Sequence, residues 1–409
     1  MRWLAAALLA LAACSPTVSV GDSGPPVLPR APERVAFNAV AADFLPLIFG
    51  QEDGTARTVL LRFAGPVRVR LGPELGAYGR NLDDLLMRLR QEAGIDIRRA
   101  TTGEGAEIAV RTAPGAAFRQ MLPRVSCLAL PADLNWPTVR ALHGQRALPR
   151  WADLTQLESA SVLISDDLPP HAVRACLHEE IAQALGVGND LYRLSSSVFN
   201  DDNRFSALTG HDMAVLHRLY RPDLTPGLTR REVARIAGIE PRRPSEADRD
   251  WHRSFTRAAD PRLARATRVE AGRRALELAQ AMRPSDHRVA ENLLRLAALL
   301  REERPALARR LYQAAYDDLA RRYGRDHLRT AHAATALASY LLAAGEPAAA
   351  RAYLGRALTA AAAQGEAALA ARAASLLVDA LATTGPAQAA ATARLDSARW
   401  ARYAFGPPR

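Results

Sequence analysis

The residues best suited to chemistry gather in one stretch, HAVRACLHEEIAQALG, from His171 to Gly186. Val173, Leu177, Ile181, Ala184 and Leu185 recur at helical spacing, so the stretch reads as an amphipathic helix. Residues four apart share a helix face, which sets Glu179 above Gln183, with Glu180 beside them. Carboxylates in that arrangement could activate a water molecule or hold a hard cation through oxygen. They could equally hydrogen-bond the loop around Asn189 and Asp190 as a vestigial cleft. Gly186 ends the helix and lets the chain turn back toward it.

The order continues with Val187-Gly188-Asn189-Asp190, then Ser196-Ser197-Val198-Phe199-Asn200, then LTGHDMAVLHRLYRP from Leu208 to Pro222. This resembles the matrix metalloprotease-like zincins, which carry HExxHxxGxxH, a short Met-turn and a final helix. With Gly186 on the family glycine, the resemblance puts Glu179, Gln183 and Asn189 in the three histidine slots. Glu180 falls in the general-base slot, and Val198 replaces the Met-turn methionine. Gly186, Asp190 and Val198 would then shape the turn and the cleft. Shifting the register so that His178 is the first ligand puts Ala182 in the second slot. Neither register supplies three imidazoles, and zinc prefers nitrogen and sulfur donors over neutral amides. A conventional zinc peptidase is not expected and no cofactor is implied; binding of another metal stays open. The EExxQxxGxxND variant is itself similar to a bacterial zincin-like lipoprotein family, domain of unknown function 2927. That similarity covers Ala36 to Ala237 and implies a zincin-like fold without established activity.

Other candidates are weaker. His178 and His211 have no third histidine at useful spacing, and His143, His217 and His252 suit surface or cap positions. No GxSxG turn surrounds Ser195, Ser196 and Ser197, so these serines shape a turn rather than supply a nucleophile.

All 54 basic residues among the 409 are arginine, and the formal net charge is +11. Without lysine there is no Schiff base, no Walker A loop and no kinase site. The arginines are scattered singly and in pairs, with no RNA-binding aromatic signature among them, so nucleic acid is not an expected partner. Met1-Arg2 and the apolar run Trp3–Ala13 form a signal sequence, too short to cross a hydrocarbon core of roughly 30 Å. Leu11-Ala12-Ala13-Cys14 resembles a bacterial lipobox, with Cys14 as the lipidated residue. By resemblance to enterobacterial sorting, Ser15 after it favours the outer membrane, on the periplasmic side of the cell envelope. Outside the cytoplasm the remaining cysteines, Cys127 and Cys176, are expected to form a disulfide.

The elements that must hold the helix read as an α+β domain. A strand or hairpin is expected between Arg57 and Leu71, and a helix capped by Asn81 and ended by Gly94. Short strands follow at Glu107–Arg111 and Ser161–Ser165. Thr229 and Glu232 form a capping box before a polar, proline-punctuated segment. Beyond it Asp286-His287 recurs as Asp326-His327, and Gly345 as Gly385, at a period of about forty residues. Paired helices at that period resemble tetratricopeptide repeats, which implies a groove for a protein or peptide partner. The expected layout is a signal peptide (1–14), a tether (15–33), a degenerate zincin-like domain (34–238), a linker (239–250) and helical repeats (251–405). Function then reads as a lipid-anchored envelope protein, a pseudoenzyme with an interaction domain. The alternative is an atypical metal-dependent hydrolase acting on an envelope protein, with Glu180 as base.

Overall fold

A computed structural model describes residues 35–123, 125–240 and 245–407. The signal peptide, Cys14 and the tether lie outside the described residues.

The first domain is built on a five-stranded sheet in the order β2-β1-β3-β5-β4. Its strands are β1 (Val67–Leu71), β2 (Ile97–Arg99), β3 (Ile108–Ala113), β4 (Cys127–Leu130) and β5 (Ala160–Ser165). All neighbours pair parallel except β4, which runs antiparallel to β5 along one edge. Helices α1 (Phe37–Phe49), α2 (Gly79–Ala93), α5 (Pro170–Ala184) and α6 (Gly210–Leu219) share one core with the sheet. The short helices α3 (Gly115–Met121) and α4 (Trp136–Gly144) cover the other face near β5, through Phe118, Trp136 and Val139. Covered on both faces, β5 is buried throughout, with Val162 and Ile164 in the first core and Leu163 in the second. Helix α7 (Arg230–Ala237) closes the domain behind the Thr229/Glu232 capping box and ends at left-handed Gly238.

Three sequence expectations are corrected. Only Val67–Leu71 of the Arg57–Leu71 stretch is a strand, since Pro66 removes a ladder donor. Upstream of it, Val59 bridges Thr229 and the Leu60 amide donates to the Leu228 carbonyl (2.7 Å). Asn81 lies inside α2 and not at its cap, because a 3₁₀ turn over Pro73–Tyr78 feeds the helix from Gly79. Gly94 does end α2, at φ 68°. Helix α8 (Glu246–Ala259) begins within the stretch read as linker, because Trp251 is buried there beside Ala275 and Ala279.

From Ser245 onward the described regular structure is all helical. After α8 come α9 (Arg265–Ala281), α10 (Arg288–Leu300), α11 (Pro305–Tyr323) and α12 (Leu328–Ala343). Then follow α13 (Pro347–Ala363), α14 (Ala367–Thr384) and α15 (Ala387–Phe405). Each packs on the next. Buried alanines, among them Ala350, Ala357, Ala370 and Ala374, let the helices approach closely. His287 and His327 immediately precede α10 and α12, so the repeated dipeptide marks equivalent helix starts. Gly345 separates α12 from α13 at φ 76°, where glycine is favoured, whereas Gly385 is extended. Helix α14 is long and apolar enough to cross a membrane, yet it packs between α13 and α15.

The array packs against the first domain. Helix α15 docks on α5, where Arg174 stacks over Tyr403 at 4.0 Å and donates to its carbonyl (2.8 Å). His171 contacts the Ala404 carbonyl at 2.9 Å. At the other end, Arg329 on α12 is fully buried against Asp202 (2.6 Å).

Candidate functional site

Helix α5 buries Val173, Leu177, Ile181 and Ala184 and leaves Glu179 and Gln183 partly exposed on one stripe. Cys176 on the same helix is bonded to Cys127 at the start of β4, with a Cα–Cα distance of 5.9 Å. The site helix is thereby fastened to the antiparallel edge strand. At its C-terminus Gly186 takes φ 122°, and a Cβ there would lie 2.3 Å from the Leu61 carbonyl oxygen. The Gly186 carbonyl accepts from the buried Arg57 guanidinium (2.5 Å), and the Gly188 amide donates to Leu47 (2.8 Å). This turn requires glycine for two reasons, the sign of φ and the close backbone approach. Gly186→Ala is therefore expected to lose about 2 kcal/mol of stability, read as a lower unfolding midpoint in urea.

The slot amides find partners on α1 and the loop after it. The Gln183 side-chain amide donates to Glu52 Oε1 (2.9 Å), on the loop after α1. Asn189 donates to the Pro46 carbonyl (3.2 Å), at the C-terminal end of α1. Both amides bond through nitrogen, and a neutral amide oxygen is a poor ligand for zinc, so these side chains do not fit a zinc site. Among the described residues no three His, Cys, Asp or Glu side chains are arranged to hold a metal ion. His178 accepts from the Leu208 amide (3.3 Å), and His211 lies 3.9 Å from Asp43, so the two histidines serve different segments. Val198 is buried, and its amide donates to Asp212 (3.2 Å), which also closes the α6 capping box with Thr209. Ser197 donates to the same Asp212 carboxylate (2.5 Å), so this serine shapes the turn. Ser196 contacts His327 across the domain junction (3.2 Å).

An acidic cluster comes together instead. Glu179 and Asp190 lie within electrostatic reach of Glu52 and Asp201, which no local sequence signal associates with α5. Tyr192 donates its hydroxyl to Asp201 and packs 4.0 Å from the His252 ring on α8. Asp201 itself stands at φ 52°. Burial and the neighbouring charges of Glu52 and Asp201 raise the Glu179 carboxyl to about 7. Burial, then Glu179 and Glu52, push Glu180 well above the usual carboxylate range, against a main-chain hydrogen bond from Ala129. Asp190 is raised likewise, by burial and then by Glu52 and Glu179. Oε2 of Glu180 and Oδ1 of Asp190 are buried and lack a hydrogen-bond partner.

This electrostatic arrangement has a definite pH signature. Glu179 is raised from 4.5 in the unfolded chain to about 7 when folded. The folded form thus holds a proton that the unfolded chain releases, and stability falls as pH rises from 4.5 through 7. Glu179→Gln should match wild type in melting temperature near pH 4 and exceed it at pH 8. A difference that does not change with pH would mean that the carboxyl is not held protonated.

Residues 38–238 match the family model described as a protein of unknown function, DUF2927. No curated protein matches the chain. The matched span ends at Gly238, the residue that closes α7, so it coincides with the sheet domain and excludes the helical array.

Proposed function

We propose that the chain is an exported, lipid-anchored envelope protein with a zincin-like domain that has lost zinc peptidase chemistry and a tetratricopeptide-like array for protein interaction. The observation that carries this reading is the state of Glu180, the residue in the general-base slot. A base must be ionised to take a proton from water. Glu180 is only 5% exposed and stands among carboxylates, and burial and those charges push its carboxyl well above the usual carboxylate range, which disfavours the ionised form. The engagement of Gln183 with Glu52, and of Asn189 with Pro46, supports the same conclusion. The mixed sheet, the helix that follows its fifth strand, and the turn at Gly186 support the zincin-like assignment.

The unpartnered Oε2 of Glu180 favours one second reading, an atypical metal-dependent hydrolase. A bound cation would neutralise the cluster and lower Glu180 into the range of a working base. Metal analysis of protein purified without chelator, with a peptide-cleavage screen of wild type and Glu180→Gln, separates the two. Stoichiometric metal together with cleavage lost in the variant would overturn the pseudoenzyme reading.

The lipobox-like Leu11-Ala12-Ala13-Cys14 supports the anchor. Each methylene of an acyl chain adds about 0.8 kcal/mol of membrane affinity, so several chains hold a protein stably. Cys14→Ala should release the protein from the outer-membrane fraction. Retention of the variant there would rule the lipid out as the anchor.

A further inference from the structure

At the C-terminal end of α4 the chain folds around an open cavity of about 490 Å³, lined by His143, Gly144, Arg146, Leu148 and Arg150. Small-molecule sites hold roughly 300–1,000 Å³, so the space suits a compact ligand. Leu148 packs on the core beneath α3 and α4. Trp151, next after Arg150, donates its indole N–H to the Ala129 carbonyl of β4 (3.2 Å) and stands under the Arg57 guanidinium. The lining is therefore tied to the sheet domain on either side of Arg150.

The cavity is cationic. Arg140 stands on α4 four residues before Gly144, on the same helix face. Among the described residues, the side chains of Arg140, His143 and Arg146 form no hydrogen bond or ion pair. Arg150 has one acidic neighbour, Asp53, at 3.8 Å. No described carboxylate lines the cavity. The end of the helix does not need these guanidiniums as hydrogen-bond donors. The amides of Gln145, Arg146 and Ala147 donate to the carbonyls of Ala141, His143 and Leu142 (3.2, 3.0 and 2.9 Å). Main-chain bonds thus satisfy the last turn. Arg146 stands at φ 56°, the left-handed position that favours glycine after a helix. An arginine there forgoes the easier backbone and sets a guanidinium on the cavity wall.

We infer that this cavity binds a phosphate monoester. Charge decides among the anions that guanidiniums recognise. A carboxylate brings one negative charge, whereas a phosphate monoester brings about 1.5–2 near neutral pH. Arg140 and Arg146 are two uncompensated cations at one opening, and Arg150 adds a third that it shares with Asp53. Guanidinium forks meet phosphate oxygens in paired N–H bonds, and a ring nitrogen of His143 supplies a further donor. Leu148 offers an apolar wall to the carbon body that carries the phosphoryl group. Soluble glycerol or sugar phosphates and the headgroup of phosphatidic acid all present this chemistry. None of the carboxylates around α5 lines the cavity, so the site stands apart from the acidic cluster and from any chemistry of Glu180.

The test titrates the full chain, in phosphate-free buffer, with glycerol phosphate, with soluble dihexanoyl phosphatidic acid and with glycerate, each followed by calorimetry. Both phosphate probes should saturate at one molecule per chain, and glycerate should bind at least about tenfold more weakly. Arg146→Gly removes the guanidinium and suits the left-handed backbone, so its urea midpoint should not fall below that of wild type. It should nevertheless bind both phosphate probes at least about tenfold more weakly, as should Arg140→Gln with Arg150→Gln. Arg310→Gln, which removes an exposed charge on α11, should bind as wild type does. Equal affinity for the two phosphate probes would assign the site to soluble esters, and tighter binding of the lipid analogue to a membrane headgroup. No saturable binding of either probe, or undiminished binding by Arg146→Gly, would overturn the inference. So would glycerate binding as tightly as glycerol phosphate, or an equal loss in Arg310→Gln, which would reduce the effect to net charge.

Discussion

Arg329→Ala is expected to lower stability by about 3–5 kcal/mol, the loss typical when one partner of a buried ion pair is removed. Arg329 is fully buried, and its guanidinium meets Asp202 at 2.6 Å and Glu291 at 3.2 Å. It also satisfies the carbonyls of Leu194 and Ser195. Alanine leaves two carboxylates and two carbonyls desolvated with fewer donors, although Arg204 still reaches Glu291 with its guanidinium and Asp202 with its main-chain amide. The planar fork reaches all four acceptors at once, so lysine should recover little of the loss. Urea unfolding followed by circular dichroism measures it. A quadruple variant, Arg329→Met and Arg204→Met with Asp202→Asn and Glu291→Gln, removes the charges together and should regain most of the stability. A loss below about 1 kcal/mol for Arg329→Ala would place the cluster in the range of solvated surface pairs.

Opening the Cys127–Cys176 bond ranks next, at about 4 kcal/mol for a loop of this length. The bridge spans 49 positions and joins the edge strand β4 to the helix that carries Glu179 and Glu180. Strand β4 has only β5 as a ladder partner, so the bond is its covalent link to the site helix. Chemical unfolding with and without reductant should show the loss. The Cys127→Ala/Cys176→Ala variant should behave as the reduced protein does and be indifferent to reductant. Equal midpoints for oxidised and reduced wild type would contradict the expectation.

Some features were legible because their signals are local. The apolar positions of α5 recur every three to four residues, and the burial of Val173, Leu177 and Ile181 follows from that period alone. Strand β5 announces itself by β-branched residues bounded by polar ones, and the Thr229/Glu232 cap by its spacing. The cysteine pair follows from count and compartment, the array from a repeated dipeptide. The strand or hairpin expected over Arg57–Leu71 is realised only as Val67–Leu71, after Pro66, while Val59 upstream bridges Thr229 instead. Helix α1 was missed: its apolar residues, Phe44, Leu45, Leu47, Ile48 and Phe49, form a nearly continuous run around Pro46 and show no helical stripe.

The chemistry of the site was less legible, and the reason is physical. Glu52 follows α1, Glu179 stands on α5, and Asp201 belongs to the segment between α5 and α6. No periodicity links them. Their protonation depends on burial and on charges brought close by the sheet and the array, and both act through space. The contacts of Leu194–Ser206 with Arg329, Glu291 and Glu366 on the array were likewise invisible in the sequence, since they join residues far apart in the chain. By itself the sequence determined that Glu179 and Gln183 share a helix face, that Gly186 must turn the chain, that two cysteines can pair, and that lysine chemistry is absent. These depend on backbone period, steric allowance and composition, which neighbouring residues carry in full. Tertiary structure alone decided that Gln183 pairs with Glu52, that burial and neighbouring carboxylates push Glu180 well above its ordinary range, and that Arg329 meets Asp202 across the domain junction. Each of those depends on groups distant in the chain meeting where water is excluded.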